Sequence, residues 1–235
     1  MPKDDLMTHF AVIQEANRPV KLNNTYRGIP ISYDATIIKI NQAYVAFQVH
    51  EYQAVCMALE GKTYIQSALL PEVYQAQSVA VDVLKREVIL TEFKGVGQSV
   101  GKRMSVRVHP KEPVDVEIHV REQSYPGKLA DISTSGIGVF TFDTYIYGDL
   151  SFDKNTSVSI EVRLPVSDSP LNFQGKIISV VHQKDTFLHR LGVKIRSNPA
   201  AEPVLQRYLT QRHIEIMREL RVVYKSMAQN KEKVG

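Results

Sequence analysis

The sequence predicts a mainly β fold: two small β-barrels in tandem, followed by a C-terminal α-helix. Three observations carry this. Short β-branched or aromatic runs broken by Asn and Gly fill Val20 to Phe93. A second set of such runs extends from Val106 to Ile195, with six strand candidates suited to a small closed barrel. After Glu202 the apolar period changes from about 2 to about 3.6. A chain of 235 residues has room for two small domains.

In chain order, residues 4–17 read as a short helix that ends before Arg18-Pro19, because the residue preceding proline is pushed out of the α region. Ile29–Tyr33, Ala35–Ile40, Ala43–Val49, Thr63–Ile65 and Val79–Leu90 read as strands, and residues 51–59 as one or two helical turns. Phe93 to Gly101 holds Gly95, Gly97 and Gly101 and reads as a linker. Its glycines lack the G-x-G-x-x-G spacing and the strand–turn–helix setting of a phosphate loop. Val114–Val120 alternates apolar and polar residues strictly, as a strand with one buried face does. Leu129–Ile132 and Gly136–Phe140 flank a Ser/Gly turn, and Ser157–Leu164, Phe173–His182 and His189–Ile195 complete the second set. In the tail, Leu205, Tyr208, Leu209, Ile216, Leu220, Val223, Tyr224 and Met227 recur at helical spacing over 203–227, interrupted by Arg212 and His213. The domains expected are a β-barrel-like unit over 1–93, a linker over 94–101, a second barrel over 102–198, and a helix with its tail over 199–235. No internal repeat is visible.

Composition narrows the function. No apolar run reaches the roughly 18 residues of a membrane-spanning helix, and the N-terminus lacks a signal-peptide pattern. A cytoplasmic protein without membrane insertion is the expectation. The single cysteine, Cys56, rules out an internal disulfide and a multi-thiolate metal site, and its apolar surroundings read as a buried, inert thiol. Residues 1–100 carry nine Lys/Arg against ten Asp/Glu; residues 101–235 carry twenty against fifteen. The positive excess therefore belongs to the second half, which favours an anionic partner. His182 and His189 straddle a turn but lack a third ligand at a recognisable offset, so they read as surface or rim histidines and no metal site is expected. No pattern supplies a base for Ser133 or a defensible carboxylate pair, so no enzyme activity and no cofactor are expected.

Two segments stand apart. In Gly101–Arg107, Arg103 and Arg107 lie four residues apart beside Lys102; their guanidinium forks can bind phosphate bidentately or stack on a purine. A solvated basic linker is the plain alternative. In Asp131–Gly138, Asp131 and Ser133 lie two apart, so on an extended strand they share a face, and a carboxylate there can accept the N1–H and N2–H edge of a guanine. Gly136 and Gly138 allow a tight turn and close backbone approach. A simple Asx or Ser turn between strands would use the same residues.

R-x-x-x-R (Arg103 to Arg107) followed by D-x-S-x-x-G (Asp131, Ser133, Gly136), with Leu191-Gly192-Val193 later, resembles the PilZ domain over about residues 101–197. The resemblance implies a six-stranded barrel that binds cyclic di-GMP through Arg103, Arg107, Asp131, Ser133 and Gly136, with Lys102, Ser135 and Gly138 as secondary candidates. Residues 1–93 resemble, in architecture only, the N-terminal barrel of flagellar-brake-like PilZ proteins and carry neither motif. The implied role is a receptor that changes inter-domain arrangement on binding cyclic di-GMP and signals to a protein partner in motility, secretion or polysaccharide and biofilm control. A nucleic-acid-binding regulator is the alternative, using Arg207, Arg212, Arg218, Arg221 and Lys225, and helix 203–227 could also build a homo-oligomer.

Overall fold

In a computed structural model, residues 3–97, 106–142, 152–182 and 188–232 are described. The first barrel follows helix α1 (Lys3–Glu15) and consists of β1 (Val20–Tyr26), β2 (Ile29–Ile40), β3 (Val45–Gln48), β4 (Lys62–Gln66), β5 (Tyr74–Asp82) and β6 (Glu87–Gly95), with α2 (Glu51–Glu60) between β3 and β4. The second consists of β7 (Asp115–Val120), β8 (Gln123–Ile132), β9 (Gly136–Phe142), β10 (Ser157–Val162), β11 (Leu171–His182) and β12 (Leu188–Ile195), followed by α3 (Glu202–Glu232). Both barrels are closed, with strand orders β1-β2-β3-β6-β5-β4 and β10-β11-β12-β9-β8-β7. Read from its own first strand, the second order matches the first. The two barrels therefore share one topology, a repeat that the sequence does not display. The chain divides into two compact units, Met1–Met104 with Ile216–Gly235 and Ser105–Glu215.

In the first unit, α1 places Leu6, Phe10 and Ile13 on one face and buries all three in the barrel core. Phe10 meets Phe47 edge-on at 6.1 Å and Phe93 at 5.3 Å. The helix ends at Asn17, whose left-handed φ of 48° lets the Arg18 N–H reach Ile13 O and the Asn17 N–H reach Gln14 O. This pair of bonds terminates the helix ahead of Pro19. Residues 51–59, read from the sequence as one or two helical turns, lie in the ten-residue α2. It ends at Gly61, whose φ of 68° suits glycine and whose N–H is accepted by Met57 O. Gln53 and Cys56 lie on the buried face of α2, Gln53 donating to Leu22 O at 2.6 Å.

Three strand expectations need correction. Val79–Leu90 is two strands, because the Asp82 carboxylate accepts the Lys85 N–H at 3.0 Å and Arg86 turns into the left-handed region. Ile29–Tyr33 and Ala35–Ile40 are one strand, carried past the polar Asp34 and irregular only between Ile37 and Lys39. β6 continues to Gly95 and the Val96 N–H donates to Val73 O, so the linker expected from Phe93 onwards begins as strand.

In the second unit, alternation along the strands buries Val116, Ile118, Val139, Ile160, Phe173, Leu191 and Val193. His189 belongs to this inward set and is buried, where the sequence suggested a surface or rim histidine: alternation on β12 puts it on the same side as Leu191 and Val193. Residues 183–187, between the two histidines, lie outside the described residues. On α3, Leu205 and Tyr208 of this unit are buried, as are Ile216 and Leu220 of the first. Arg212, which breaks the apolar stripe in sequence, is buried too, with Nε donating to His109 O at 2.8 Å and Nη1 facing Glu215 at 3.0 Å. None of the described helices is long and apolar enough to cross a membrane.

Phe10→Ala should cost about 3–5 kcal/mol of first-barrel stability, read from urea unfolding, because it opens a cavity under α1. Burial, with Glu60 adding to it, pushes the Cys56 thiol up to about 12. Native protein at pH 8 should therefore react with a thiol reagent only on unfolding.

Candidate functional site

The site grows from one buried carboxylate. Asp131 lies near the end of β8, where the β8–β9 register shifts between Leu129 and Asp131, and it is only 4% exposed. A carboxylate so far from water must be paired with cations. Two guanidinium groups do this. Arg190 Nη2 is bonded to Asp131 Oδ2, and Arg107 Nη1 faces Asp131 Oδ1 at 3.4 Å.

The strand order explains how Arg190, far away in sequence, arrives there. β9 lies between β8 and β12, with Asp131 paired to Gly138 and Gly138 paired to Gly192. The ion pair passes over β9 at Gly138. A Cβ on that residue would sit 2.7 Å from Asp131 Oδ2 and 2.8 Å from Arg190 Nη2. Only glycine leaves this space empty.

Arg107 arrives by a different device. Val108 and Ile132 exchange both backbone hydrogen bonds, at 3.0 and 3.1 Å, and this isolated bridge lays the chain along the end of β8. The Arg107 side chain then lies by the β8–β9 turn, with Nη2 3.7 Å from where a Gly136 Cβ would be. In that turn Ser133 is fully buried: its N–H donates to Gly136 O at 2.9 Å and its Oγ to the same carbonyl at 3.1 Å. The Ser135 N–H reaches Ser133 Oγ at 3.4 Å, while Ser135 O accepts the Ile195 N–H. Gly136 needs space rather than a special φ, since a Cβ would stand 3.0 Å from Val193 O.

The structure thus brings Arg107, Asp131, Ser133, Ser135, Gly136 and Gly138 together. Ser133 lies in the turn, beyond the strand on which it was expected to share a face with Asp131. Arg103 and Lys102 lie outside the described residues. Sequence reasoning missed Arg190. Its only signal was its place two residues before Gly192, in the strand already singled out, together with the need of a buried carboxylate for a cation. Each guanidinium carries five donors and is more than a quarter exposed, 28% for Arg107 and 29% for Arg190, so donors remain for an outside anion. The arrangement can offer guanidinium donors to a phosphate beside a carboxylate acceptor.

Gly138→Ala drives a methyl group into the Asp131–Arg190 pair. The expected loss is about 1–3 kcal/mol, as for other overpacking changes, and a lowered midpoint in thermal unfolding would register it.

The chain is 26% identical over 149 residues to an uncharacterized protein of Aquifex aeolicus (strain VF5), covering 62% of this chain and 68% of that one. Among solved structures it is similar to YcgR of Escherichia coli in complex with c-di-GMP, with 16% identity, 94% and 95% of the two chains covered and a TM-score of 0.45. It is also similar to MrkH of K. pneumonia in its c-di-GMP complex, with 12% identity, coverage of 92% and 96% and a TM-score of 0.45. The model of the PilZ domain family matches residues 101–211, and by that match the second barrel is a PilZ domain.

Proposed function

We propose that this protein is a cyclic di-GMP receptor without catalytic activity, and that the ligand binds at the Arg107–Asp131–Arg190 cluster. The single observation that carries the reading is the unequal pairing of Asp131. Arg190 is bonded to one carboxylate oxygen, while Arg107 sits at 3.4 Å from the other. A contact of that length is near the limit of a hydrogen bond and is easily exchanged. In the proposed mechanism Arg107 swings from Asp131 Oδ1 to a ligand phosphate. The freed oxygen then accepts the N1–H and N2–H of a guanine, and Arg190 keeps the carboxylate neutralised throughout. Arg103, four residues before Arg107 in sequence, and Lys102 would add cations for the second phosphate and a plane for stacking. Ser133 and Gly136 hold the turn that shapes the floor of the pocket.

Because Lys102 to Arg107 follows directly on the segment joining the barrels, ligand capture would change the relation between the two domains and present a surface to a protein partner in motility, secretion or polysaccharide control. The ligand drives this only by its differential affinity for the two arrangements. The nucleic-acid alternative loses support, since Arg212, one of its five helix cations, is buried and bonded within the chain.

Calorimetric titration with cyclic di-GMP tests the site. Arg103→Ala, Arg107→Ala and Asp131→Ala should each weaken binding by on the order of 2–5 kcal/mol, roughly 30-fold or more. Equal affinity in all four proteins would contradict it. Small-angle scattering should change on adding ligand, and superimposable curves would remove the domain rearrangement.

A further inference from the structure

Away from this site, the outer face of the second barrel carries a group of side chains that the proposed function does not use. Glu117 and His119 lie two apart on β7 and so point to the same side, opposite to the buried Ile118. Glu161 on β10 stands directly across from Glu117, and Ser159 across from His119. One ligand atom from each of Glu117, His119 and Glu161 lies within 4.8 Å of the others.

Two features make this more than a chance gathering. Like charges directly opposite each other on neighbouring strands destabilise a sheet. The flanking strands do not relieve the Glu117–Glu161 pair: their register partners are Pro126 on β8 and Asn172 on β11. Lys128, further along the same face of β8, is paired with Asp115. The imidazole is also held in place from behind. His119 Nδ1 lies 2.7 Å from Ser124 Oγ, and Ser124 is its register partner on β8. With the ring proton on Nδ1 and donated to that hydroxyl, Nε2 presents its lone pair on the side of Glu117, whose Oε2 is 3.9 Å away. Orientation of a histidine through its second nitrogen is the usual support of a metal-ligating imidazole.

We propose that Glu117, His119 and Glu161 bind a divalent first-row transition cation, with zinc the best match to two carboxylates and an imidazole. Bonds of about 2.0–2.2 Å from these donors place ligand atoms roughly 3.4 Å apart around the ion. The three side chains need only close by about an ångström, which rotamer adjustment on an outer sheet face allows. The cation would neutralise the cross-strand glutamates and tie β7 to β10. Water would complete its coordination, since the three donors come from one side only.

The test is zinc titration of the full chain against a chromogenic chelator, with folding of each variant checked by circular dichroism. The expected result is one saturable zinc, weakened more than about tenfold by His119→Ala and by Glu161→Gln, and weakened less by Ser124→Ala. Glu117→Lys supplies a second readout: it should abolish zinc binding while raising the unfolding midpoint of the metal-free protein, because a like-charge pair becomes an opposite-charge pair. Zinc uptake unchanged by His119→Ala and Glu161→Gln, or no saturable uptake at all, would overturn the proposal.

Discussion

The second barrel is organised around the charge of Asp131. A carboxylate with almost no access to water costs several kcal/mol unless it is paired, and that cost constrains its neighbours. Arg190 must lie on β12 within reach, Gly138 must be free of a side chain so that the pair can cross β9, and Val108 must bridge to Ile132 so that Arg107 arrives on the other side. Each is a structural requirement for burying one charge, and together they leave two guanidinium groups partly exposed at the end of the barrel. The same constraint that buries the charge leaves guanidinium donors at the surface.

The first barrel shows what the topology does without that charge. Its strand order is the same, yet its buried polar side chains among the described residues are neutral: Asn24 Nδ2 donates to Lys62 O at 2.9 Å, Thr63 Oγ1 donates to Asn24 Oδ1 at 3.0 Å, and Gln53 Nε2 donates to Leu22 O at 2.6 Å. One architecture therefore packs around neutral polar groups in one copy and around a buried charged cluster in the other. Closure of both sheets removes the exposed edges that isolated strands of this length would present.

Much of this was legible in the sequence because it rests on local rules. Alternation placed β7, the change of period placed α3, and the spacing of Arg107, Asp131, Ser133 and Gly136 marked one end of the second barrel. What escaped depends on pairing between distant strands. Arg190 is bound to a residue 59 positions away, and nothing local announces it. The triad Glu117, His119 and Glu161 forms only through the β7–β10 register. The burial of Arg212 depends on a backbone carbonyl 103 residues earlier, so helical periodicity could only report it as an interruption. The break between β5 and β6 failed to show for a different reason: β-branched residues continue through the turn, and one aspartate side chain ends the strand.

Exchange of Arg107, with Arg190 as the fixed partner of Asp131, is the central step of the proposed binding. NMR of the arginine side-chain Nε–Hε groups, recorded on isotopically labelled protein during a cyclic di-GMP titration, observes both residues at once. The account predicts a large shift for Arg107 on saturation, while Arg190 keeps its hydrogen-bonded position. Arginine signals that stay in place while ligand binds, or an Arg190 that moves while Arg107 remains on Asp131, would contradict it.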